Sequence, residues 1–505
     1  MIPPKYFLTK MRVKKEAFEI MMSRFDPITI VLICLAIGIK YLLDGGFWHL
    51  FLILIGILAV LIDLLFIRKP RNIFYFSLGL ILLIVANLVL ADSDIELTIQ
   101  STNFVNSVVN IDKIELGPVN SLQVFGKLKR SHASIDISLP VVMSVDSLDF
   151  AYCPGDVLEG SCKLEALNKK NSYDKYLITK GVSTRAVCKD LSLIGRVEGF
   201  NGLRFYLNNK VNDIVEEYLK PPLSSLLLGM LFGSDETMPN SFKRIMRDVG
   251  LTHIVVVSGY NLSLIYENVR KLMKNISRNL SYLIGGCALW FFIWIVGYEP
   301  PVLRAGFMVL TKIISNIAGR DVTPIRSLLL SSIILLVIFP YWIESLSFHL
   351  SFLATFAIIN SDAFVPGFVE KTGKLGTFFK EYFFQSLSVI FFTFPYISAV
   401  FGRLSILAPL ANLLVLPMVE DITILGILAI VLSFLSKGLG VLFFGIEWVM
   451  LFYIAGACDL LSKSSVQMDY KMPNLLCVFF YIFLLLFLFY LKWRKTIKDV
   501  YKITF

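Results

Sequence analysis

Residues 250–262 read Gly-Leu-Thr-His-Ile-Val-Val-Val-Ser-Gly-Tyr-Asn-Leu, an apolar run bracketed by polar side chains. His253 and Ser258 are the residue types of a general base and a nucleophile, which raises the chemistry of acyl transfer. The spacing argues against it. A nucleophile on a strand-to-helix turn wants glycine two residues before and two after the serine, where this chain has Val256 and Tyr260. Five residues apart on a helix, His253 and Ser258 point to different faces. An intramembrane hydrolase using Ser258 is therefore the weakest reading. The small Ser258-Gly259 pair better suits close backbone packing or a helix break, with His253 and Asn261 supplying hydrogen bonds.

Further polar groups stand in apolar surroundings at Arg304, His349, Ser351, Asn412, Glu420, Asp421 and Glu447. A charged group in hydrocarbon costs about 2.5–3.5 kcal/mol on insertion scales, so these residues must face protein or water. In Tyr298-Glu-Pro-Pro-Val-Leu-Arg-Ala-Gly-Phe307, Glu299 and the paired prolines suit a helix N-terminus. Arg304 lies one turn further in and is no cap, which leaves a partner on another helix or an anionic substrate. Pro409 and Pro417 stand eight apart around Asn412; they predict a broken helix that lines a cavity or is buried in protein, with Asn412 bonding the freed backbone rather than touching substrate. The four histidines are scattered, and no Cys/His spacing fits a zinc site. No metal or cofactor is expected, and no GxxxxGK[ST] nucleotide loop occurs.

The elements that must hold these residues are membrane helices. Of 505 residues, 56% are hydrophobic and 17% charged, with a mean hydropathy of +0.72, well beyond the roughly 45–50% apolar content of a soluble domain. Windows long enough to cross a bilayer run over 48–67, 73–90, 282–296, 325–339, 382–400, 422–435, 441–460 and 475–491, after a weaker first crossing at 28–43. The formal charge of +10 is concentrated before the first span, between the second and third (Arg68, Lys69, Arg71), and in the tail. Placing these basic groups in the cytoplasm makes 1–26 a cytoplasmic N-terminus, 27–91 three transmembrane helices and 492–505 a cytoplasmic tail. With no signal-peptide pattern at its start, the first span is expected to stay as an anchor. The segment after Ala91 is then extracytoplasmic.

Residues 92–202 change character: Ile95-Glu-Leu-Thr-Ile99, Ser134–Leu139 and Val141–Val145 alternate or cluster β-formers, and Gly117-Pro118, Pro154-Gly155-Asp156 and Asn201-Gly202 mark turns. Five or six short strands predict a small barrel or sandwich, and an oligonucleotide-binding (OB) type barrel fits the size. Cys153, Cys162 and Cys188 fall here, on the side of the membrane where disulfides persist. Cys153 and Cys162 flank a Pro-Gly-Asp turn and are a candidate pair; buried free thiols are the alternative. In 203–249 an amphipathic stretch (205–219) leads to Pro221-Pro222, then to an apolar segment, 223–232, too short to cross and expected to be re-entrant or buried. A second short amphipathic helix, 241–249, follows.

The order of these segments resembles the ComEC family of competence proteins, inner-membrane channels for DNA uptake in natural transformation. Gly250-Leu-Thr-His-Ile-Val-Val-Val-Ser-Gly259 is similar to the family's His-Leu-Leu-Ala-Ile-Ser-Gly-type motif. Pro300-Pro301-Val-Leu-Arg304-Ala305-Gly306, followed by Ala318-Gly-Arg320, resembles its Pro-Pro-x-x-Arg-Ala-Gly element. Ser347-Phe-His-Leu-Ser-Phe-Leu353 and Leu407-Ala-Pro-Leu-Ala-Asn-Leu-Leu-Val-Leu-Pro417 resemble two further elements, and Pro154-Gly155-Asp156 with Ser172–Gly181 its extracytoplasmic barrel. Two departures stand out. Asn261 occupies a place where many members have His, so no titrating proton is required there. The His-x-His-x-Asp-His run of a β-lactamase-like domain is missing, so conduction rather than cleavage is expected.

The resemblance implies a polytopic α-helical membrane protein with an inserted extracytoplasmic OB-like barrel over 92–202 and a helical channel domain over 250–491. It would carry single-stranded DNA across the cytoplasmic membrane and be no enzyme. The implied partners are single-stranded DNA, the lipid bilayer, a periplasmic or surface DNA receptor, a cytoplasmic helicase-type motor and a separate nuclease. Arg304 and Arg320 would meet phosphates or brace the channel. His253, Ser258, Gly259, Asn261, His349, Pro409, Asn412 and Pro417 would shape the path. On the barrel, Lys127, Lys129, Arg130, Lys169 and Lys170 with Tyr173 and Tyr176 are the candidates for DNA contact. Residues 92–201 hold 12 Lys/Arg against 14 Asp/Glu, so such contact would be local. The rival reading is a secondary transporter of a small or lipidic anion, built on the same polar groups.

Overall fold

The computed structural model describes residues 105–487, apart from 117–120, 131–138, 147–153, 168–172, 366–372 and shorter gaps. The three N-terminal spans, both basic termini, Cys153, Ser258, Arg320, Lys169, Lys170 and Tyr176 lie outside the described residues, as do the side chains of Lys129 and Arg130.

Five strands form a closed barrel in the order β1-β2-β3-β5-β4: β1 Val105–Leu116, β2 Ser121–Arg130, β3 Leu139–Asp146, β4 Asp156–Ala166 and β5 Thr184–Arg196. β1, β2 and β3 form a meander, β3 runs parallel to β5, and β4 closes the ring antiparallel to β5 and β1. This is the order of the OB-type barrel expected from the sequence. Alternation along each strand fills the interior: Val109 and Ile111, Val124 and Leu128, Val141 and Met143, Leu158, Cys162 and Leu164, and Ala186 are all buried.

The β4–β5 register sets Cys162 opposite Cys188 with their Cα atoms 4.0 Å apart, and the two form a disulfide. The expected Cys153–Cys162 pairing is thereby corrected. Neighbouring antiparallel strands bring together residues at one register position, and turn proximity in the sequence does not enter. The bond links residues 26 apart, and loop closure of that length is worth about 3.5 kcal/mol. Replacing both cysteines with serine is expected to lower the urea midpoint of barrel unfolding, followed by hydrogen exchange of β4 and β5 in the whole protein. An unmoved midpoint would show that the ladder alone holds these strands.

Among the described residues, twelve α-helices follow between Gly199 and Lys463. They are α1 Gly199–Tyr218, α2 Leu223–Phe232, α3 Asn240–Asp248, α4 Thr252–Val255, α5 Gly259–Leu272, α6 Arg278–Val296, α7 Pro300–Ile317, α8 Pro324–Ile338, α9 Leu346–Ile359, α10 Gly373–Phe401, α11 Ala408–Leu435 and α12 Lys437–Lys463. Among the described residues, four (α6, α10, α11 and α12) are long and apolar enough to cross a membrane. A small ribbon, β6 Arg403–Ser405 with β7 Gln467–Asp469, joins the regions flanking α11 and α12.

Helix α2 has the bounds its sequence dictates. Pro221-Pro222 opens it without losing a needed donor, and Gly233 closes it in the left-handed conformation. Its ten residues span about 15 Å, half a bilayer, and neighbouring helices bury nine of them. The expected break at Pro409 and Pro417 does not occur. Pro409 sits in the first turn of α11, where no amide is missed, and Pro417 lies inside a continuous 28-residue helix.

The helices pack into adjoining cores. The first gathers α1, α2, α3, α4, α11 and α12; the second gathers α5, α6, α7 and parts of α8 and α9; a third joins α8, α9 and α10. Helix α1 links the barrel to this body. Phe205 is buried against the barrel turn at Gly155, where an added Cβ would stand 2.8 Å from the Phe205 Cβ. Arg204 Nε donates to the Ile295 carbonyl (3.2 Å) and Nη2 to that of Val296 (3.4 Å), while Asn208 Nδ2 donates to Ile295 (3.2 Å). These are carbonyls that the end of α6 leaves without helical partners. Burial pushes the Arg204 guanidinium below its ordinary value, with Tyr298 and Asp112 acting against it.

Candidate functional site

The chain turns out of helix between α4 and α5: Val256 is extended, with φ −96° and ψ 137°. The helix that the His253–Ser258 spacing presupposes therefore ends at Val255, and Val256–Val257 carry the chain to α5. Ile254 and Val255 belong to the first core, whereas Val257 and Leu262 belong to the second. The break sits on the seam between them.

Glycines admit this segment to its place. Gly250 has φ +78°, and a Cβ there would stand 2.7 Å from the Ala408 Cβ at the start of α11. On α2, a Cβ at Gly229 would come within 2.5 Å of Val255 Cγ1 and 3.0 Å of the Val255 carbonyl oxygen. At the start of α5, a Cβ on Gly259 would meet Arg304 Nη2 at 2.6 Å. The segment is thus pressed between α2, α11 and α7 at backbone range.

Arg304, in the second turn of α7, is 9% exposed. Its Nε donates to Ser351 Oγ of α9 (2.7 Å), and Nη1 lies 3.6 Å from Met308 Sδ. Among the described residues no carboxylate forms an ion pair with it. A guanidinium has five donors in a planar fork suited to carboxylate or phosphate, and here the fork rests against Gly259 at the seam. It is a buried positive charge held by a hydroxyl rather than by an anion.

The other expected residues fall around the seam at different depths. Asn261 is buried on α5, and its Nδ2 donates to the Met230 carbonyl of α2 (2.8 Å), bridging the two cores. His253 is exposed on α4. His349 is buried on α9 with Nδ1 2.6 Å from the Tyr396 hydroxyl of α10. Asn412 donates to Ser386 Oγ of α10, so its partner is a neighbouring helix and not the freed backbone expected around the prolines. On the barrel, Lys127 is exposed on β2. Tyr173 is half-buried and donates to Gln123 Oε1 of β2, so its hydroxyl ties the β4–β5 connection to the barrel. The structure joins Gly259 and Arg304 in one contact, whereas His349 and Asn412 make separate interhelical bonds.

A model of the competence-protein family matches residues 230–495, just over half of the chain. The chain belongs to the competence-protein family. Three relatives extend the comparison. An uncharacterized protein of Aquifex aeolicus (strain VF5) is 28% identical over 158 residues, 31% of this chain and 37% of that protein. The uncharacterized protein YcaI of Escherichia coli (strain K12) is 25% identical over 224 residues, 43% of this chain and 30% of that one. ComE operon protein 3 of Bacillus subtilis (strain 168) is 22% identical over 285 residues, 55% and 36% respectively. The chain thus spans about a third of the length of each of these relatives. No solved structure matches it.

The family match contains the seam and most of the helices of this competence protein, and the barrel lies before it. Sequence reading missed Tyr396, Ser386 and Gly229 as members of the site. Tyr396 and Ser386 carry no signal beyond their places in an apolar span. Gly229 is a glycine inside a helical pattern, which points to close backbone approach without saying by what.

Proposed function

We propose that this competence protein forms the membrane conduit through which single-stranded DNA enters the cell during transformation. Membership of the family implies a role in DNA uptake. The observation that carries the finer reading is Arg304: a guanidinium buried at the seam of two helical cores, beside a glycine, with no carboxylate paired to it among the described residues. Phosphates passing along the seam would supply the missing anion. The OB-type barrel suits contact with a single strand, and its disulfide supports an extracytoplasmic position. The basic termini support a cytoplasmic N- and C-terminus. In this reading a surface or periplasmic receptor delivers DNA, a helicase-type motor draws it in, and a separate nuclease disposes of the other strand.

Deleting the gene is expected to abolish entry of labelled DNA into the cytoplasm while leaving surface-bound DNA in place, and the intact chain restores entry. Unchanged entry in the deletion strain would sink the proposal. The same guanidinium also suits the headgroup of a small or lipidic anion. Proteoliposomes that accumulate labelled anion and exclude oligonucleotides would favour that second reading.

A further inference from the structure

Helices α11 and α12 form an antiparallel hairpin joined at Ser436. The buried residues of α12 are Gly440, Phe444, Glu447, Leu451, Ile454, Cys458 and Leu461, alternating in steps of four and three. That is the heptad spacing of a packed seam. Every member is apolar or small except Glu447. Counted from the turn, Gly426 of α11 is ten residues before Ser436 and Glu447 eleven after, so the two face each other. The geometry agrees. A Cβ on Gly426 would stand 3.6 Å from Glu447 Oε1, 2.9 Å from Leu227 Cδ1 and 3.2 Å from Leu231 Cδ1 of α2.

Glu447 is 0% exposed, and among the described residues neither carboxylate oxygen has a hydrogen-bond partner. Among the described residues no basic side chain forms an ion pair with it, and the lysines at the two ends of α12, Lys437 and Lys463, pair with Glu217 and Asp459 instead. Glu420 and Asp421, the acids of α11, lie more than a turn from Gly426 along that helix. Ser224, one turn from Leu227 on the same stripe of α2, is also fully buried, and its Oγ has no hydrogen-bond partner among the described residues. An ionised carboxylate in this leucine-lined contact would lack every interaction that stabilises its charge. A metal cation is no remedy, because it asks for about six oxygens. Glu447 offers two, and no group of three metal-binding side chains occurs among the described residues. The proton is the one cation that needs no other ligand.

We propose that Glu447 is a proton-binding site. With its proton in place it packs as one more seam residue of α2, α11 and α12; when the proton leaves, the charge opens this three-helix contact to water. The site is independent of what passes along the seam at Arg304.

Infrared spectroscopy of the purified protein in lipid bilayers tests the first half. A protonated-carboxyl band present at neutral pH in the parent chain and missing in Glu447→Gln is expected; no such band overturns the proposal. Hydrogen exchange tests the second half. Corrected for intrinsic rates, exchange in residues 223–232 and 422–430 is expected to rise several-fold from neutral to alkaline pH in the parent chain and to stay flat in Glu447→Gln. Equal rises in both chains would also overturn it. Should the glutamine chain fail to accumulate, Glu447→Leu, which fills the seam with an apolar side chain, serves the same two measurements.

Discussion

Substituting Arg304 with glutamine is expected to cut entry of labelled DNA by about 10- to 100-fold, from the loss of a charge-assisted hydrogen bond worth about 1.5–3 kcal/mol. The protein should still accumulate in the membrane. An arginine kept for a structural ion pair would behave otherwise, because removing it strands its carboxylate and destabilises the fold. Among the described residues the only oxygen partner of the guanidinium is Ser351 Oγ, so glutamine relieves a buried charge and thermal stability should hold or rise. Arg304→Lys is expected to recover part of the uptake, since it keeps the charge and loses the planar fork and the Nε anchor. Ser351→Ala should have a smaller effect in the same direction, by freeing the fork to turn. If Arg304→Gln lowers the melting temperature and leaves uptake intact, the guanidinium is a brace and the conduit reading loses its main support.

The second large effect separates two glycines nine residues apart. Gly250→Ala is expected to cost about 2–5 kcal/mol, adding a left-handed penalty of about 1–2 to an overpacking penalty of about 1–3. Both arise at one atom, which would take a φ of +78° and stand 2.7 Å from the Ala408 Cβ. Loss of that magnitude is a large part of the stability of most domains, so the variant should accumulate poorly and unfold at lower temperature. Gly259→Ala meets the far end of a flexible side chain, Arg304 Nη2 at 2.6 Å, with the Ala305 Cβ at 3.2 Å. The guanidinium can swing aside, so the fold should persist while uptake falls. A Gly259→Ala chain that takes up DNA at the parent rate would mean that the position of the fork is immaterial.

Much of this architecture is legible in the sequence because it rests on local chemistry. The bounds of α2 follow from two prolines and a glycine, and the barrel strands from alternation. What escaped depends on partners far away in the chain. The Cys162–Cys188 bond is set by the register of β4 against β5, and register is written in many side chains at once. Pro417 reads as a break because its cost is local, while the packing of α11 against α12 and α2 that keeps the helix whole is tertiary. Arg304 stood out in the sequence as a charge without a cap. That it would rest on Gly259, 45 residues before it, needed the fold.

Helix α1 meets the barrel through Phe205 and meets α6 through Arg204 and Asn208. All three residues lie within about one helical turn. Load applied to the barrel therefore reaches α6 at this pivot, while Ile214 and Val215 further along the same helix pack into the first helical core. Just before that pivot, Gly199 has φ +75° with nothing within 4 Å of where a Cβ would be. Because the barrel turn at Gly155 also packs on Phe205, six residues beyond Gly199, a turn of the backbone at Gly199 alone would break that contact, so the barrel and the first turns of this helix must move together.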